Sequence, residues 1–324
     1  MSVGLGAPQK STLGAFVKST LGGRGFSITS SGLFLAVSNS GLGNRVMTSA
    51  DGITWSTQTS AANNAWRSVA WGNGLFVAVA SSGTGNRVMT SPDGITWTIR
   101  TSAADLSWRG VTYGNGLFVA VSEDGTYRVM TSPDGITWTL TTDASTGRNW
   151  HAITYGNGLF VAVAVTGAFH RVMTSPDGFD WTLQTSEIKG WQSVTFGNGL
   201  YVAVSDGSSE GTNRVMTSPD GITWTIRTAA ADATWNSVTY GNGLFVAVAS
   251  SITTDSVMTS PDGITWTLRT SAAANAWQSV TFGNGLFVAV STNGTGNRVM
   301  TSPDGITWTI RTSAANNSWQ SVCT

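Results

Sequence analysis

The nine-residue phrase TSPDGITWT fills residues 90–98 and returns letter for letter at 131–139, 217–225, 259–267 and 301–309. Looser copies occupy residues 48–56 and 174–182. A phrase written seven times at a period of 41 to 43 residues confines the chain to architectures in which one supersecondary unit stacks on copies of itself. A unit that small cannot bury its apolar face alone.

Aligned on the phrase, the copies read close to W-x-S-V-T-[YF]-G-N-G-L-F-V-A-V-[AS], a variable loop, R-V-M-T-S-P-D-G-I-T-W-T-I-R-T-S-A-A, and a second variable loop. Two tryptophans mark each unit. The leading ones are Trp66, Trp108, Trp150, Trp191, Trp235, Trp277 and Trp319; those closing the phrase are Trp55, Trp97, Trp138, Trp181, Trp224, Trp266 and Trp308. Of the 15 tryptophans, Trp71 alone falls outside this plan.

Each unit reads as four strands. Strand a, W-x-S-V-T-Y, ends at the tight G-N-G turn, where glycine accepts positive φ. Strand b, L-F-V-A-V-A, is apolar on both faces, as a strand covered on both sides must be. Strand c, R-V-M-T-S, runs into the P-D-G turn, and strand d, I-T-W-T-I-R-T, alternates as a half-exposed outer strand does. No segment carries a helical period. Four strands in 40–45 residues is the β-propeller period, so the expected fold is all-β: a seven-bladed propeller over residues 26–324 behind a short extended arm, residues 1–25. In each P-D-G turn the aspartate (Asp51, Asp93, Asp134, Asp177, Asp220, Asp262 or Asp304) is expected to accept hydrogen bonds from the turn's own N–H groups. The closing tryptophan then packs between blades. These seven carboxylates lie on separate blades and are read as structural.

Composition excludes several partners. With 17 basic and 17 acidic residues and a formal net charge of zero, the chain has no concentrated positive field for nucleic acid or an anionic membrane. One cysteine, Cys323, rules out an internal disulfide framework. No stretch has signal-peptide or membrane-spanning length. Membrane insertion and nucleic-acid binding are therefore not expected.

The run S-P-D-G-I-T-W resembles the Asp-box of sialidases and related BNR-type propellers, S-x-D-x-G-x-T-W, shortened by one residue. The likeness covers residues from about 26 onward and implies a propeller fold in which the box is a structural turn. Sialidases also need an arginine cluster and a Tyr/Glu nucleophile pair, whereas this chain has three glutamates, Glu123, Glu187 and Glu210, all in expected loops. Hydrolase activity is accordingly not carried over. Repeats of the style GNGLFVAV…TSPDGITWT are also similar to propellers of phage structural proteins and bacterial surface proteins.

Chemistry-bearing motifs are sparse. His151 and His170 have no cysteine nearby, no nucleophile-elbow sequence is present, and the G-N-G turns precede strands, not phosphate-cradling helices. No catalytic residue, metal site or cofactor is expected; Asp206 and Glu210 read as a solvated loop and not as a calcium site. Variation among the seven copies is more informative. The a–b and c–d turns barely change, while the b–c and d–a loops differ from unit to unit, as in SSGTGN, VTGAFH and SDGSSEGTN. In a four-stranded blade those loops share one face, so a diverse face opposes a uniform one, the arrangement of site-bearing loops on a rigid scaffold.

The residue after each leading tryptophan is Arg67, Arg109, His151, Gln192, Asn236, Gln278 or Gln320. All hydrogen-bond and none is acidic, and with strand a innermost they would ring the channel mouth. Tyr127, Phe169 and His170, each found in one loop only, supply aromatic surface on the same face, a combination suited to a sugar. A second ring, the arginines opening strand c (Arg45, Arg87, Arg128, Arg171, Arg214 and Arg298, with Ser256 in the seventh unit), reads as structural bracing.

Two segments compete for strand a of the first blade: residues 26–30, and residues 319–324, which carry a leading tryptophan. The second is favoured, and it closes the ring with both ends of the chain. The arm repeats KSTLG and is mildly basic. It is expected to dock on a partner protein or to stay unstructured. The functional expectation is a non-enzymatic binding or structural propeller, a virion or surface-displayed protein of a phage anchored by its arm and contacting a host glycan, without a Sec signal peptide. Alternatives are a bacterial surface or cytoplasmic scaffold that binds protein, and a sialidase-like glycoside hydrolase.

Overall fold

The structure, a computed structural model, describes residues 32–141, 147–207, 211–250 and 253–324. The arm, the competing segment 26–30 and Glu210 lie outside the described residues.

Each G-N-G-L turn is a two-residue hairpin. Gly72 pairs with Leu75 across it, and Asn73 and Gly74 both take positive φ, 49° and 74°. These are the dihedrals of a type I′ turn, whose twist matches the strands it joins. From such hairpins the chain builds seven four-stranded antiparallel sheets in the order a-b-c-d. Blade 2 is typical: strand a Trp66–Gly72, strand b Leu75–Ala80, strand c Val88–Ser91 and strand d Thr98–Arg100. Strand b is buried beyond its first residue and strand c along its whole length, while strand d is mostly exposed. Strands a of successive blades pack against one another and line a central channel.

Ring closure follows the favoured alternative. Strand a of blade 1 is Trp319–Cys323, hydrogen-bonded to strand b, Phe34–Ser38, whose own chain continues through Val46–Ser49 and Ser56–Gln58. Leu35 faces Cys323 and Ala36 faces Val322.

Strand d is shorter than its sequence suggests. It has three residues per blade, and the closing tryptophan belongs to the turn before it, not to the strand. That turn explains the repeated phrase. Asp93 Oδ1 accepts from Ile95 N–H and Thr96 N–H at 2.8 Å and from Ser91 Oγ at 2.9 Å. Trp97 Nε1 donates back to Gly94 O at 3.0 Å. The same contacts recur in the other six blades, for example at Asp134 and Trp138. Gly94 is required twice over: its φ is +74°, and a Cβ there would come within 2.8 Å of Leu33 in the preceding blade.

The core is divided among the seven seams between blades. In strand b of blade 2, Val77 and Val79 pack toward blade 3 beside Trp108, whereas Phe76, Ala78 and Ala80 pack toward blade 1 beside Trp66. The small alanines make room for the indole, and each leading tryptophan is 0 % exposed. In six of them, Trp150 aside, Nε1 donates to a carbonyl four residues earlier, as from Trp66 to Ala62 O at 3.1 Å, so the ring is buried without stranding its polar atom. At roughly 150–250 Å² per indole and about 25 cal/mol per Å², each contributes about 4–6 kcal/mol of gross transfer free energy, an upper figure.

The aspartate turns generate a testable dependence on sequence and acid. Asp134→Ala should lower unfolding stability by about 1–2 kcal/mol, the scale of a lost capping interaction, as read by urea denaturation. Backbone N–H bonds from Thr54 and Ile53, then the Ser49 hydroxyl, hold the Asp51 carboxyl down to about 2, and its six counterparts are lowered by the same kinds of contact. Depressed carboxyls add stability that is present above the unfolded value and lost as pH falls through the folded one. The urea midpoint should therefore drop between about pH 4 and about pH 2, and a midpoint constant across that window would contradict the turn's role.

Candidate functional site: the channel mouth

Strand a does not alternate cleanly, because every blade carries a β-bulge at one position. In blade 2, Trp66 pairs with Ala80 and Ser68 with Val79, so Arg67 is left without an opposite residue. The same skip falls at Arg109, His151, Gln192, Asn236 and Gln278. In blade 1 it falls at Gln320, between the Val37–Ser321 and Ser38–Trp319 pairs. The extra residue shifts the strand's phase. Trp66 and Val69, three positions apart, then face one seam core, and the bulged side chain is turned toward the channel. Bulges re-aim side chains in this way beside functional sites.

All seven expected ring residues are thereby brought together. They line one cavity of about 150 Å³ at the channel mouth, on the face of the b–c and d–a loops. Arg67 donates through Nε to Ser81 Oγ at 2.8 Å and through a terminal nitrogen to Gln320 Oε1 at 3.0 Å. Arg109 Nε pairs with Glu123 Oε2 at 2.7 Å. His151 Nδ1 donates to Gln192 O at 2.9 Å, Gln192 Nε2 to Asp206 Oδ2 at 2.8 Å, and Asn236 Nδ2 to Trp277 O at 3.0 Å. Burial, together with the neighbouring Arg109, lowers the Arg67 guanidinium to about 10. Burial is also the main reason the His151 imidazole is held below its ordinary value, with Arg109 and Arg67 adding to it against the Gln192 carbonyl.

Below the bulges runs a collar of hydroxyls. Ser68 Oγ accepts from Val111 N–H of the next blade at 3.2 Å. Ser193, Ser237, Ser279 and Ser321 do the same for Val238, Val280, Val322 and Val69. At the equivalent positions of blades 3 and 4 stand Gly110 and Ala152, which have no hydroxyl to offer Ile153 and Val194.

The aromatic residues expected beside the ring are not in the cavity. Tyr127 and Phe169 are exposed on b–c loops of the same face, and His170 is half-buried there, but none lines the mouth. The strand-c arginines brace those loops from beneath. Arg45, Arg87, Arg171 and Arg298 each donate through Nε to a loop glycine carbonyl and through a terminal nitrogen to a second loop carbonyl. Arg128 follows suit, Arg214 turns to Asp232 and Asp206, and Ser256 bonds Ser271. Trp71, the tryptophan outside the plan, takes the aromatic position that ends strand a and packs on Phe76 at 4.4 Å, as Tyr113 packs on Phe118 at 4.7 Å. Among the described residues no group of three or more His, Cys, Asp or Glu side chains gathers as metal ligands do. Nor do the described residues include a helix long and apolar enough to cross a membrane.

No family model matches the sequence, and no curated protein matches it. Solved propellers do match in shape. The computationally designed protein Ika8 is 12 % identical, with 88 % of each chain covered and a TM-score of 0.59. YCF48 bound to D1 peptide is 18 % identical over 76 % of this chain and 81 % of its own, with a TM-score of 0.57. Virginiamycin B lyase from Staphylococcus aureus, in a catalytically inactive form with quinupristin, is 11 % identical over 76 % and 84 %, with a TM-score of 0.66. Identities this low establish the propeller fold and nothing about the site.

The half-buried imidazole makes the local electrostatics measurable. His151 should titrate below the ordinary histidine value of about 6.5, as followed by its ring nitrogens in an NMR pH series. Because the folded value is the lower one, stability is full above the unfolded value and falls as pH drops below it. A His151 that titrates at or above about 6.5 would show that burial and the two arginines do not dominate its surroundings.

Proposed function

We propose that this chain is a non-enzymatic binding propeller whose ligand, a saccharide, sits at the channel mouth. One observation carries the reading: seven bulged residues turn polar side chains into one cavity, on the face whose loops differ from blade to blade. Amide and guanidinium groups offer the hydrogen bonds sugar hydroxyls take, and Tyr127 and Phe169 on the surrounding loops offer rings for a sugar's apolar face. The groups a hydrolase would need are already engaged. Glu123 is held by Arg109 and Asp206 by Gln192, and His151 spends Nδ1 on a carbonyl.

The geometry of the chain ends supports display. Gly32 O accepts from Asn284, in the a–b turn of blade 7, and Thr324 lies against Gly283 in the same turn. Both ends of the described chain thus sit on the uniform face, opposite the cavity. A propeller held through residues 1–25 would point its ligand site outward, which suits a virion or surface-displayed protein that contacts a host glycan.

A second reading, a scaffold that binds protein on a cell surface or in the cytoplasm, has its own observation. The uniform face shows a circle of exposed apolar residues one position after each turn glycine, including Ile95 at 56 % and Ile222 at 52 % exposure.

Glycan-array screening of the wild type, of Gln278→Ala and of a Tyr127→Ala/Phe169→Ala double variant separates the two. The saccharide reading expects binding that weakens about tenfold in each variant, the loss of about 1.4 kcal/mol, and that responds weakly to salt. Absence of glycan binding, or binding removed by Ile95→Ser and Ile222→Ser instead, would favour the scaffold.

A further inference from the structure

We propose that the arc of the channel mouth contributed by blades 2 to 5 is a subsite for a single carboxylate-sized anionic group. The proposal rests on the channel mouth being the ligand site and deepens it, because the mouth is not seven-fold symmetric in charge or in donors.

Two asymmetries fall on the same arc. The first is charge. Arg67 and Arg109 occupy consecutive blades and feel each other's charge. Glu123 is the acid paired with Arg109, while Arg67 donates to neutral oxygens, Ser81 Oγ and Gln320 Oε1. On blades 2 and 3 two guanidiniums face one carboxylate, Glu123, and the other acid at the ring, Asp206, is engaged by Gln192 on blade 5. The Arg67 side of this partly desolvated cavity is therefore the one that attracts an anion, more strongly than open water would. The ring positions on blades 5, 6, 7 and 1 are amides.

The second asymmetry is in the main chain. At five seams a serine hydroxyl from the preceding blade caps the inward N–H of strand a. Ile153 and Val194 are the equivalent donors of blades 4 and 5, and they face Gly110 and Ala152. A Cβ built on Gly110 would stand 3.3 Å from Ile153 N, the place where a serine would begin. Both donors border the cavity. Buried N–H groups seek an acceptor, and an anionic oxygen is the strongest one. A carboxylate has two oxygens able to accept several N–H bonds, enough for the two adjacent amides in a cavity that Arg67 and Arg109 also line.

The test uses the full chain, 15N-labelled, titrated with sodium acetate against sodium chloride at constant ionic strength, then with glucuronic acid and with glucose. Ile153 and Val194 amide resonances should shift saturably with acetate and glucuronate and stay still with glucose. Ala152→Ser restores the hydroxyl found at five other seams and should weaken acetate binding about tenfold, as one lost charge-assisted hydrogen bond would. Arg67→Gln should weaken it similarly, both variants keeping the wild-type melting temperature. No saturable shift, or equal affinity in wild type and both variants, overturns the subsite. If glucose moves these amides and acetate does not, the saccharide site stands and the anion subsite falls. If acetate binds and no saccharide does, the subsite stands and the saccharide reading falls.

Discussion

The leading tryptophan at each seam is the contact on which the remaining architecture depends. It fills the space left by the small residues of strand b, two alanines in blades 2, 4 and 6 and an alanine and a serine in the others, and lies against valines of the neighbouring blade, so neither surface is complete without the other. A lone blade would expose an indole and an apolar strand to water, and seven blades in a ring expose none. The aspartate turn is subordinate to this packing. It fixes the path from strand c to strand d and lets the closing tryptophan cover the outer end of the same seam.

Because all seven seams obey one rule, the channel wall is nearly symmetric, and departures from symmetry gain meaning. The bulge at each residue after a leading tryptophan does two jobs. It keeps that tryptophan and the following valine in one core, and it frees one side chain per blade for the channel. Scaffold and candidate site are therefore made by the same irregularity. The strand-c arginines extend this logic outward, since they tie down the ends of loops whose tips are free to differ.

Much of this is legible in the residues. The period, the two turn types, the apolar strand b and the spare tryptophan at Trp319 lead to seven blades and to closure by both chain ends, because each rests on local chemistry repeated often enough to average out exceptions. The bulge is not foreseen from the strand pattern, although W-x-x-V places two core residues three apart in a strand, a spacing that period-two alternation forbids. Strand d reads too long because Ile95, Trp97 and Ile99 alternate like a strand, while hydrogen bonds to Asp93 in fact keep the first part a turn. The aromatic residues Tyr127 and Phe169 fall on the variable face as expected yet farther from its centre, since loop sequence carries no radial coordinate. The loss of hydroxyls at Gly110 and Ala152 is visible as letters, but their partners lie one blade away and emerge only when the ring is closed.

Closure is the central claim, and removing residues 319–324 tests it most directly. The truncated chain would lack a buried tryptophan and the strand paired with Phe34–Ser38, and would expose an open strand edge that recruits other copies. Size-exclusion chromatography with light scattering, run beside a thermal melt, should find oligomers or aggregates and a markedly lower transition. A truncated monomer melting where the full chain melts would contradict a ring whose last seam is sealed by Trp319.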